Sequence, residues 1–518
     1  MRKFLLFVFA CVSLSAKAQD IDVLHYQFFV NLNDENDTLQ AYSYIYFVPK
    51  TNARQIVFDL ASSKNGKGMK VTKAMIPSQS TGFVHENDKL TIHRNNDGIG
   101  DTLLATIEYK GIPRDGLIIA KNKFGDRTFF ADNWPNRAHH WLPCIDQPND
   151  KASFEFNVQV PSHYQVISNG LKISETKADN TKTVRWSETI PSPTKVMVIG
   201  VAKFATKTYD NSPEGIPVSA WVYPKDSTKG FYDYALAPDI LRFFSDYIAP
   251  FPYKKLANVQ SKTIFGGMEN ASAIFYAEST VTGDRSSEDL LAHEIAHQWF
   301  GDAASEKSFA HLWLSEGFAT FLTHYYWEKK YGKEAAAERW EKDRDEVIRF
   351  SKRSTSPVVD STNNLMSLLN ANSYQKGGWV LRMLRNEVGD SVFQKIIQTY
   401  YNQYKGGNAE TKDFEAVAEK VSGKELSWFF DQWLYRPGIP QLQMSTKIQN
   451  NEFFFYISQK GKPYRFVLEV DIVKEDGEIV REQFEVSQQK HVFKVPVKGS
   501  SLRFSIDPEK KLLFESVD

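Results

Sequence analysis

Leu290-Leu291-Ala292-His293-Glu294-Ile295-Ala296-His297-Gln298-Trp299-Phe300 is the stretch from which the rest of the chain is read. On a helix, positions i and i+4 share a face, so His293 and His297 can point at one ion. Glu294 lies one residue on, about 100° around the same helix, and therefore beside that ion. Leu290, Leu291, Ile295, Trp299 and Phe300 give the helix a buried body. Eighteen residues separate His297 from Glu316, which stands in Trp313-Leu314-Ser315-Glu316-Gly317-Phe318. Glu316 can be read as a surface acid, but a lone carboxylate in so apolar a run is costly to bury unless paired or bound to a metal. Two imidazoles and a carboxylate form a catalytic zinc set with a fourth position left for water. A structural zinc site uses four protein ligands and favours cysteine, and two cysteines in the whole chain cannot supply such a set. The bland alternative makes both histidines satisfied core residues.

The chemistry of such a set is hydrolytic. Zinc lowers the pKa of bound water to about 7. Glu294 can take that proton and pass it to a leaving amine. The tetrahedral oxyanion then needs a second donor besides the metal. Tyr374, in Ser373-Tyr374-Gln375-Lys376-Gly377-Gly378, is the candidate. Spacing alone leaves it equally readable as a structural tyrosine at a helix start.

The chain has 518 residues, too many for one core. It is 42% hydrophobic and 24% charged, a globular balance. Formal net charge is zero, so nothing points to nucleic acid. The first residues read as a targeting segment. Arg2 and Lys3 are followed by an apolar run over 4–14 and by Ala16-Lys17-Ala18, a small-x-small cleavage site. Cleavage of residues 1–18 would start the mature chain at Gln19 and export it to the periplasm or outside. The apolar run is too short to anchor in a bilayer, and no later segment has eighteen uninterrupted apolar residues. The mature chain is expected to have no membrane span. Cys144 is then its one cysteine, so no intrachain disulfide can form; its apolar setting reads as a buried, inert thiol.

From 21 to 205 the pattern is β. Tyr42, Tyr44, Tyr46 and Val48 alternate with Ser43, Ile45 and Phe47, so both faces carry apolar residues. Phe154, Phe156, Val158 and Val160 alternate with polar residues. Asn65-Gly66 and Asn169-Gly170 are turn signals, and 196–205 reads as a buried strand. A short β section runs over 218–223. Helical signals then dominate from 235 to 435. The first carries the two histidines, with Ser287, Glu288 and Asp289 at its start. The next, 312–331, carries Glu316, and others follow near 334–349, 374–388, 391–404, 411–422 and 425–434. Gly438 and Pro440 end the helical part. Phe466, Leu468, Val470 and Ile472, then Asp476-Gly477 and 479–486, read as a hairpin in a small β-sandwich packed on the helices. The expected fold is multidomain α+β. A large, mostly antiparallel N-terminal sheet domain (19–206) precedes a mainly helical catalytic domain (207–440) and a C-terminal β-sandwich (441–518).

His293-Glu294-x-x-His297-x18-Glu316 resembles the gluzincin arrangement of aminopeptidase N-type zinc metallopeptidases. Gly266-Gly267-Met268-Glu269-Asn270, ending 23 residues before His293, resembles that family's G-x-M-E-N signature. Tyr374-x-Lys376-Gly377 resembles its catalytic-tyrosine motif, and Phe430-Asp431-Gln432-Trp433 with Pro437-Gly438 its end of the catalytic domain. The resemblance implies a thermolysin-like catalytic domain, one Zn²⁺ per chain and peptide substrates with a free N-terminus. Glu269 would bind the substrate's α-amino group, and Gly266 and Gly267 would bring a backbone edge close to the substrate. Met268 and Asn270 belong to the same substrate-binding segment.

Two departures stand out. The family commonly carries a glutamine or glutamate before D-A-R-R-x-x-P-C that helps hold the amine. Here the matching region reads Ala131-Asp132-Asn133-Trp134-Pro135-Asn136-Arg137-Ala138-His139-His140-Trp141-Leu142-Pro143-Cys144. Asp132 is expected to substitute, or Trp134 to wall the first pocket. His139 and His140 are neighbours that do not share a face, so they are not read as a metal pair. The chain also ends near its β module, without the large helical domain of many relatives. Three functions remain in view: a zinc aminopeptidase, a zinc hydrolase of another small substrate such as an epoxide, and a non-catalytic peptide binder.

Overall fold

The computed structural model describes residues 20–95, 98–473, 477–497 and 503–517. Residues 1–18, expected to be a targeting segment, and Asp476 of the expected hairpin turn lie outside the described residues.

The N-terminal part is built on a seven-stranded sheet. Its order is Leu171–Ala178, Thr181–Pro193, Lys151–Pro161, Ile21–Asn31, Leu39–Pro49, Leu103–Ile112 and Gly68–Met75. Phe154, Phe156, Val158 and Val160 point into the core, as their period of two requires. All neighbouring strands are antiparallel except Ile21–Asn31 and Lys151–Pro161, which run parallel. A parallel pair needs a long connection, and the intervening chain supplies one. On Leu39–Pro49, Ile45 and Phe47 are buried whereas Tyr42 and Tyr46 are exposed. The tyrosine face is therefore the wet one. It is covered by its own cross-strand partners: Phe29 stacks on Tyr42 with ring centroids 4.1 Å apart.

The expected strand over 196–205 is shorter and shared. Thr194–Val196 forms a 3-10 turn, Ile199–Ala202 pairs with Gln165–Ser168, and Ala205–Tyr209 pairs with Val218–Val222 in a different sheet. All of 196–202 is buried, within a hydrophobic core that runs on from the N-terminal part into the middle of the chain. Cys144 is fully buried and free. Burial, with Asp146 and Asp59 nearby, pushes its thiol well above the usual range, which makes it inert.

The middle of the chain opens with a five-stranded sheet that the sequence pattern did not disclose. Its order is Ala205–Tyr209, Val218–Val222, Leu256–Ser261, Ala273–Ala277 and Gly267–Met268. Leu256–Ser261 is buried at every residue, so it shows no alternation to detect. Helices follow: α1 (Glu288–His297), α2 (Trp313–Tyr331), Lys333–Ser351, α3 (Gly377–Val388), Asp390–Tyr404 and Thr411–Ser422. Tyr374 was expected in the first turn of α3; it lies in a π-helical turn, Asn372–Lys376, that leads into it. Of α2, every residue from Trp313 to His324 is buried, which fits a helix at the centre of its domain. Among the described residues no helix is long and apolar enough to cross a membrane.

The C-terminal part has two facing sheets, of four and three strands. Phe466–Val473 and Ile479–Val486 pair antiparallel, Phe466 opposite Val486, as the hairpin reading requires. The module is bound to the helices: Arg344 donates to Asp507 Oδ2 and Leu512 O, both at 2.7 Å, and Arg382 donates to Lys510 O.

One buried acid fixes the approach to α1. Asp233 is 1% exposed and accepts the backbone N–H groups of Thr282, Gly283 and Arg285 at 2.8, 2.8 and 2.9 Å. Asp233→Ala leaves these donors without their partner and is expected to cost about 2–3 kcal/mol. The measurement is a urea melt. An unchanged midpoint would show that the loop is held by something else.

Candidate active site

The site forms where α1, α2 and the π turn before α3 meet the edge of the five-stranded sheet. α1 begins without a side-chain cap, because the Ser287 hydroxyl donates instead to Thr280 O. Its first-turn acid Glu288 accepts from Tyr326 and Tyr331 of α2, at 2.7 and 2.8 Å, and from Lys330. This ties the start of α1 to the end of α2 and sets the two helices side by side.

His293 Nε2 and His297 Nε2 lie 3.1 Å apart, and Glu316 Oε2 lies 3.3 and 3.2 Å from them. His297 Nδ1 is 3.1 Å from Phe300 O, so that nitrogen carries the proton and Nε2 presents a lone pair to the group. Two metal bonds of about 2.1 Å at a tetrahedral angle place their ligand atoms about 3.4 Å apart. The three atoms therefore stand as a zinc ion's ligands stand. Charge agrees. Burial disfavours a cationic His297, yet Glu316, Glu269 and Glu294 outweigh it and raise the imidazole to about 10. The site demands positive charge, from a proton or from a metal. The residues fit zinc.

Glu294 is 4% exposed and faces the same space. Burial pushes its carboxyl up, His297 pulls it back, and Glu269 and Glu316 add to the rise. A Cβ at Gly267 would overlap the Glu294 carboxylate, so glycine there leaves the acid its position. Gly267–Met268 is the edge strand. It pairs with Phe275 and Tyr276 on one side and borders the cavity on the other. Glu269 follows it, 5% exposed, with Oε1 buried and without a hydrogen-bond partner.

The Tyr374 ring lies nearly parallel to His293, centroids 5.9 Å apart. Burial, then Glu316, Glu269 and Glu294, hold its phenol well above 10, which keeps it a donor. Two glycines bring it there. A Cβ on Gly317 would come within 2.8 Å of the Gly377 carbonyl carbon, so α2 and the start of α3 touch backbone to backbone. That contact is what lets Glu316 and Tyr374, on different elements, share a cavity. Lys376, buried, donates to Gly438 O at 2.8 Å and joins the tyrosine turn to the Pro437-Gly438 segment.

The cavity holds about 350 Å³. It is lined by His293, Glu294, His297, Glu316, Tyr374, and the segment 266–269. Its apolar wall is Trp134, Phe265, Met268, Leu290 and Leu369. Two expectations need correction. Asn270 does not line the cavity; it is fully buried behind it. Asp132 does not substitute as an amine acceptor. Its Oδ1 accepts from Arg137 at 2.8 Å and its Oδ2 from Thr263 Oγ1 and Ile264 N, at 3.2 and 2.9 Å. It braces the loop that carries Phe265, and Trp134 walls the pocket. His139 is engaged with Asp146, 2.8 Å away, and belongs to no metal group among the described residues. Phe265, Leu290 and Leu369 were not singled out for the cavity, since nothing local marks an apolar side chain as a pocket wall.

With this geometry in hand the chain was compared with known proteins. The Peptidase family M1 domain matches residues 232–433, and the Peptidase M1 N-terminal domain matches residues 23–196. The chain belongs to peptidase family M1. This bears out the family resemblance drawn from the motifs, and with it the three-part fold. Among similar proteins is "Probable aminopeptidase 2" of Sulfurisphaera tokodaii, 28% identical over 85% of this M1 chain and 57% of that protein. Another is "Leucyl aminopeptidase" of Saccharolobus solfataricus, 24% identical over 92% of this chain and 62% of the relative. The M1 chain thus spans little more than half the length of these relatives. The crystal structure of Legionella pneumophila aminopeptidase A in complex with aspartic acid shares the fold, with a TM-score of 0.83 at 16% identity. It covers 97% of this chain and 60% of that one.

Gly317→Ala is expected to force α2 and α3 apart and to cost about 1–3 kcal/mol. Gly407→Ala is the control, because its Cβ meets nothing closer than 3.5 Å. Equal denaturation midpoints for the two variants would remove the backbone contact as the device that sets Tyr374.

Proposed function

We propose that this protein is an exported zinc-dependent aminopeptidase that removes N-terminal residues from peptides. The observation that carries the reading is Glu269 Oε1, a buried carboxylate oxygen without a partner, in the same cavity as the His293–His297–Glu316 group. A buried acceptor left without a hydrogen-bond partner inside a cavity calls for a ligand that can donate to it, and a cationic one suits a carboxylate. The α-ammonium of a peptide is such a ligand, and the names of the M1 relatives support it.

His293, His297 and Glu316 would hold one zinc ion, which when bound supplies Lewis acidity toward the scissile carbonyl and acidifies water at neutral pH. Glu269 accepts the substrate ammonium and so fixes one end of the chain. The open side of Gly267–Met268 offers backbone groups to an extended peptide, as an added strand would use them. Glu294 takes a proton from the attacking water and returns it to the leaving amine. The Tyr374 hydroxyl donates to the oxyanion, a contact worth about 3–4 kcal/mol in the transition state. Trp134, Phe265 and Leu369 receive the first side chain on an apolar wall.

The deciding experiment is a turnover profile on free and N-acetylated aminoacyl anilides, with and without a chelator. Free substrates should be cut, acetylated ones should resist, and chelation should abolish turnover; full activity in metal-free protein would sink the mechanism. Glu294→Gln should lower kcat by roughly 10²–10⁴-fold with its zinc retained, and loss of the metal in that variant would contradict the base assignment. Export rests on Arg2, Lys3, the apolar run and Ala16-Lys17-Ala18. N-terminal sequencing of the mature protein is expected to begin at Gln19, and a chain that keeps residues 1–18 would overturn this.

A further inference from the structure

One oxygen of the Glu269 carboxylate, Oε1, is buried without a hydrogen-bond partner, so no bond at that atom fixes it. Its position is inherited from the backbone of 269–272, which is not a regular element. It leaves the edge strand at Glu269 and returns to the sheet at Ala273. Ser272, within it, has φ +61°, a left-handed conformation that a serine adopts only when its surroundings impose it.

Hydrogen bonds from neighbouring elements impose it. Gln298, the residue after the second histidine, is fully buried and points away from the cavity. Its Nε2 donates to Glu269 O at 2.6 Å and to Asp302 Oδ2 at 2.9 Å. Its Oε1 accepts from Ser272 N at 2.7 Å. One amide thus grips the first and last residues of the segment. Other groups also touch it. Asn169 Nδ2 donates to Ala271 O, Gly170 N to Ser272 Oγ, and Lys255 Nζ to Ser272 O. Those come from the N-terminal part or from within the sheet. Gln298 alone of these is joined directly to a metal-ligating residue, His297.

We propose that Gln298 is the positioning residue that sets the separation between Glu269 and the metal ligands. This rests on the reading of Glu269 as the amine anchor. An enzyme that cuts only the first peptide bond must keep its amine acceptor one residue's length from the reacting carbonyl. An error of about 1 Å in such a placement costs roughly 10²-fold. Gln298 links the two directly, through one side chain and one peptide bond.

Gln298→Met keeps the length and removes all three hydrogen bonds. Gln298→Glu keeps the acceptor for Ser272 N–H and removes the donors. The zinc-loaded variants are measured for metal content, for kcat and KM on free aminoacyl anilides, and for the ratio of free to N-acetylated turnover. Hydrogen exchange at the Ser272 amide is followed alongside. The expected result for Gln298→Met is unchanged metal content, KM raised roughly tenfold with a smaller fall in kcat, a free-to-acetylated ratio lowered roughly tenfold, and faster Ser272 exchange. Gln298→Glu should shift KM and the ratio in the same direction while Ser272 stays protected, and it carries the test if Gln298→Met does not fold. KM and ratio unchanged in the metal-loaded variants would overturn the proposal. So would a partial loss of metal in which the remaining activity keeps its ratio, which marks a merely structural side chain. Glu269→Gln is run beside them. If it leaves the ratio intact, the amine-anchor reading fails and the proposal with it; if it collapses the ratio while the Gln298 variants do not, the clamp alone is wrong.

Discussion

Three carboxylates and two imidazoles share one cavity of about 350 Å³, and that concentration of buried charge is what the surrounding structure has to answer. Left to themselves, acids this close repel and protonate. Glu269 and Glu294 are indeed driven upward, first by burial and then by their neighbours. Glu316 goes the other way: burial resists, but His297 and His293 hold it well below the usual carboxylate range. The neighbours of the three acids therefore act in opposite senses, holding Glu316 down and pushing Glu269 and Glu294 up. A divalent cation at the ligand group completes the balance, and its donor set of two nitrogens and one oxygen suits zinc.

That arrangement persists only if three elements cannot slide. Glu288 stitches the start of α1 to the end of α2. Gly317 and Gly377 let α2 meet α3 with no side chain between them, which is why the tyrosine turn reaches over His293. Lys376 then secures the turn from the far side, through Gly438. Three of the restraining residues lie one or two positions from a functional group: Gly317 beside Glu316, Lys376 two past Tyr374, Gln298 beside His297. Precision is obtained locally, by packing or hydrogen-bonding the next residue along, so the functional side chains remain free for chemistry.

This locality explains how much could be read from the sequence. His293, His297 and Glu316 were legible because helical periodicity places i and i+4 on one face and an acid in an apolar run needs a reason. The hairpin of Phe466–Val473 and Ile479–Val486 was legible from alternation. Leu256–Ser261 was not, because a strand buried on both faces has no alternation. The parallel pairing of Ile21–Asn31 with Lys151–Pro161 was not, because pairing partners more than a hundred residues apart leave no local trace. The choice between Asp132 and Trp134 could not be made from the sequence for a related reason. An acid next to a predicted pocket invites a binding role, while its actual partners, Arg137, Thr263 and Ile264, are visible only once the chain is folded.

The position of Trp134 connects the last two points. The family resemblance implies a second polar group near the substrate amine, and the N-terminal part supplies an indole there, with Asp132 turned away to brace a loop. An indole gives apolar contact to a side chain and no carboxylate to an ammonium. On that side of the cavity the proposed amine anchor, Glu269, stands without a second carboxylate. Two acids can share an error in placement, since a cation shifted from one moves toward the other. A single acid cannot. The fewer the acceptors, the more each must be held by something outside the cavity. For Glu269, whose own oxygen is unpartnered, that hold comes through the backbone of 269–272, and on the metal side it runs through Gln298.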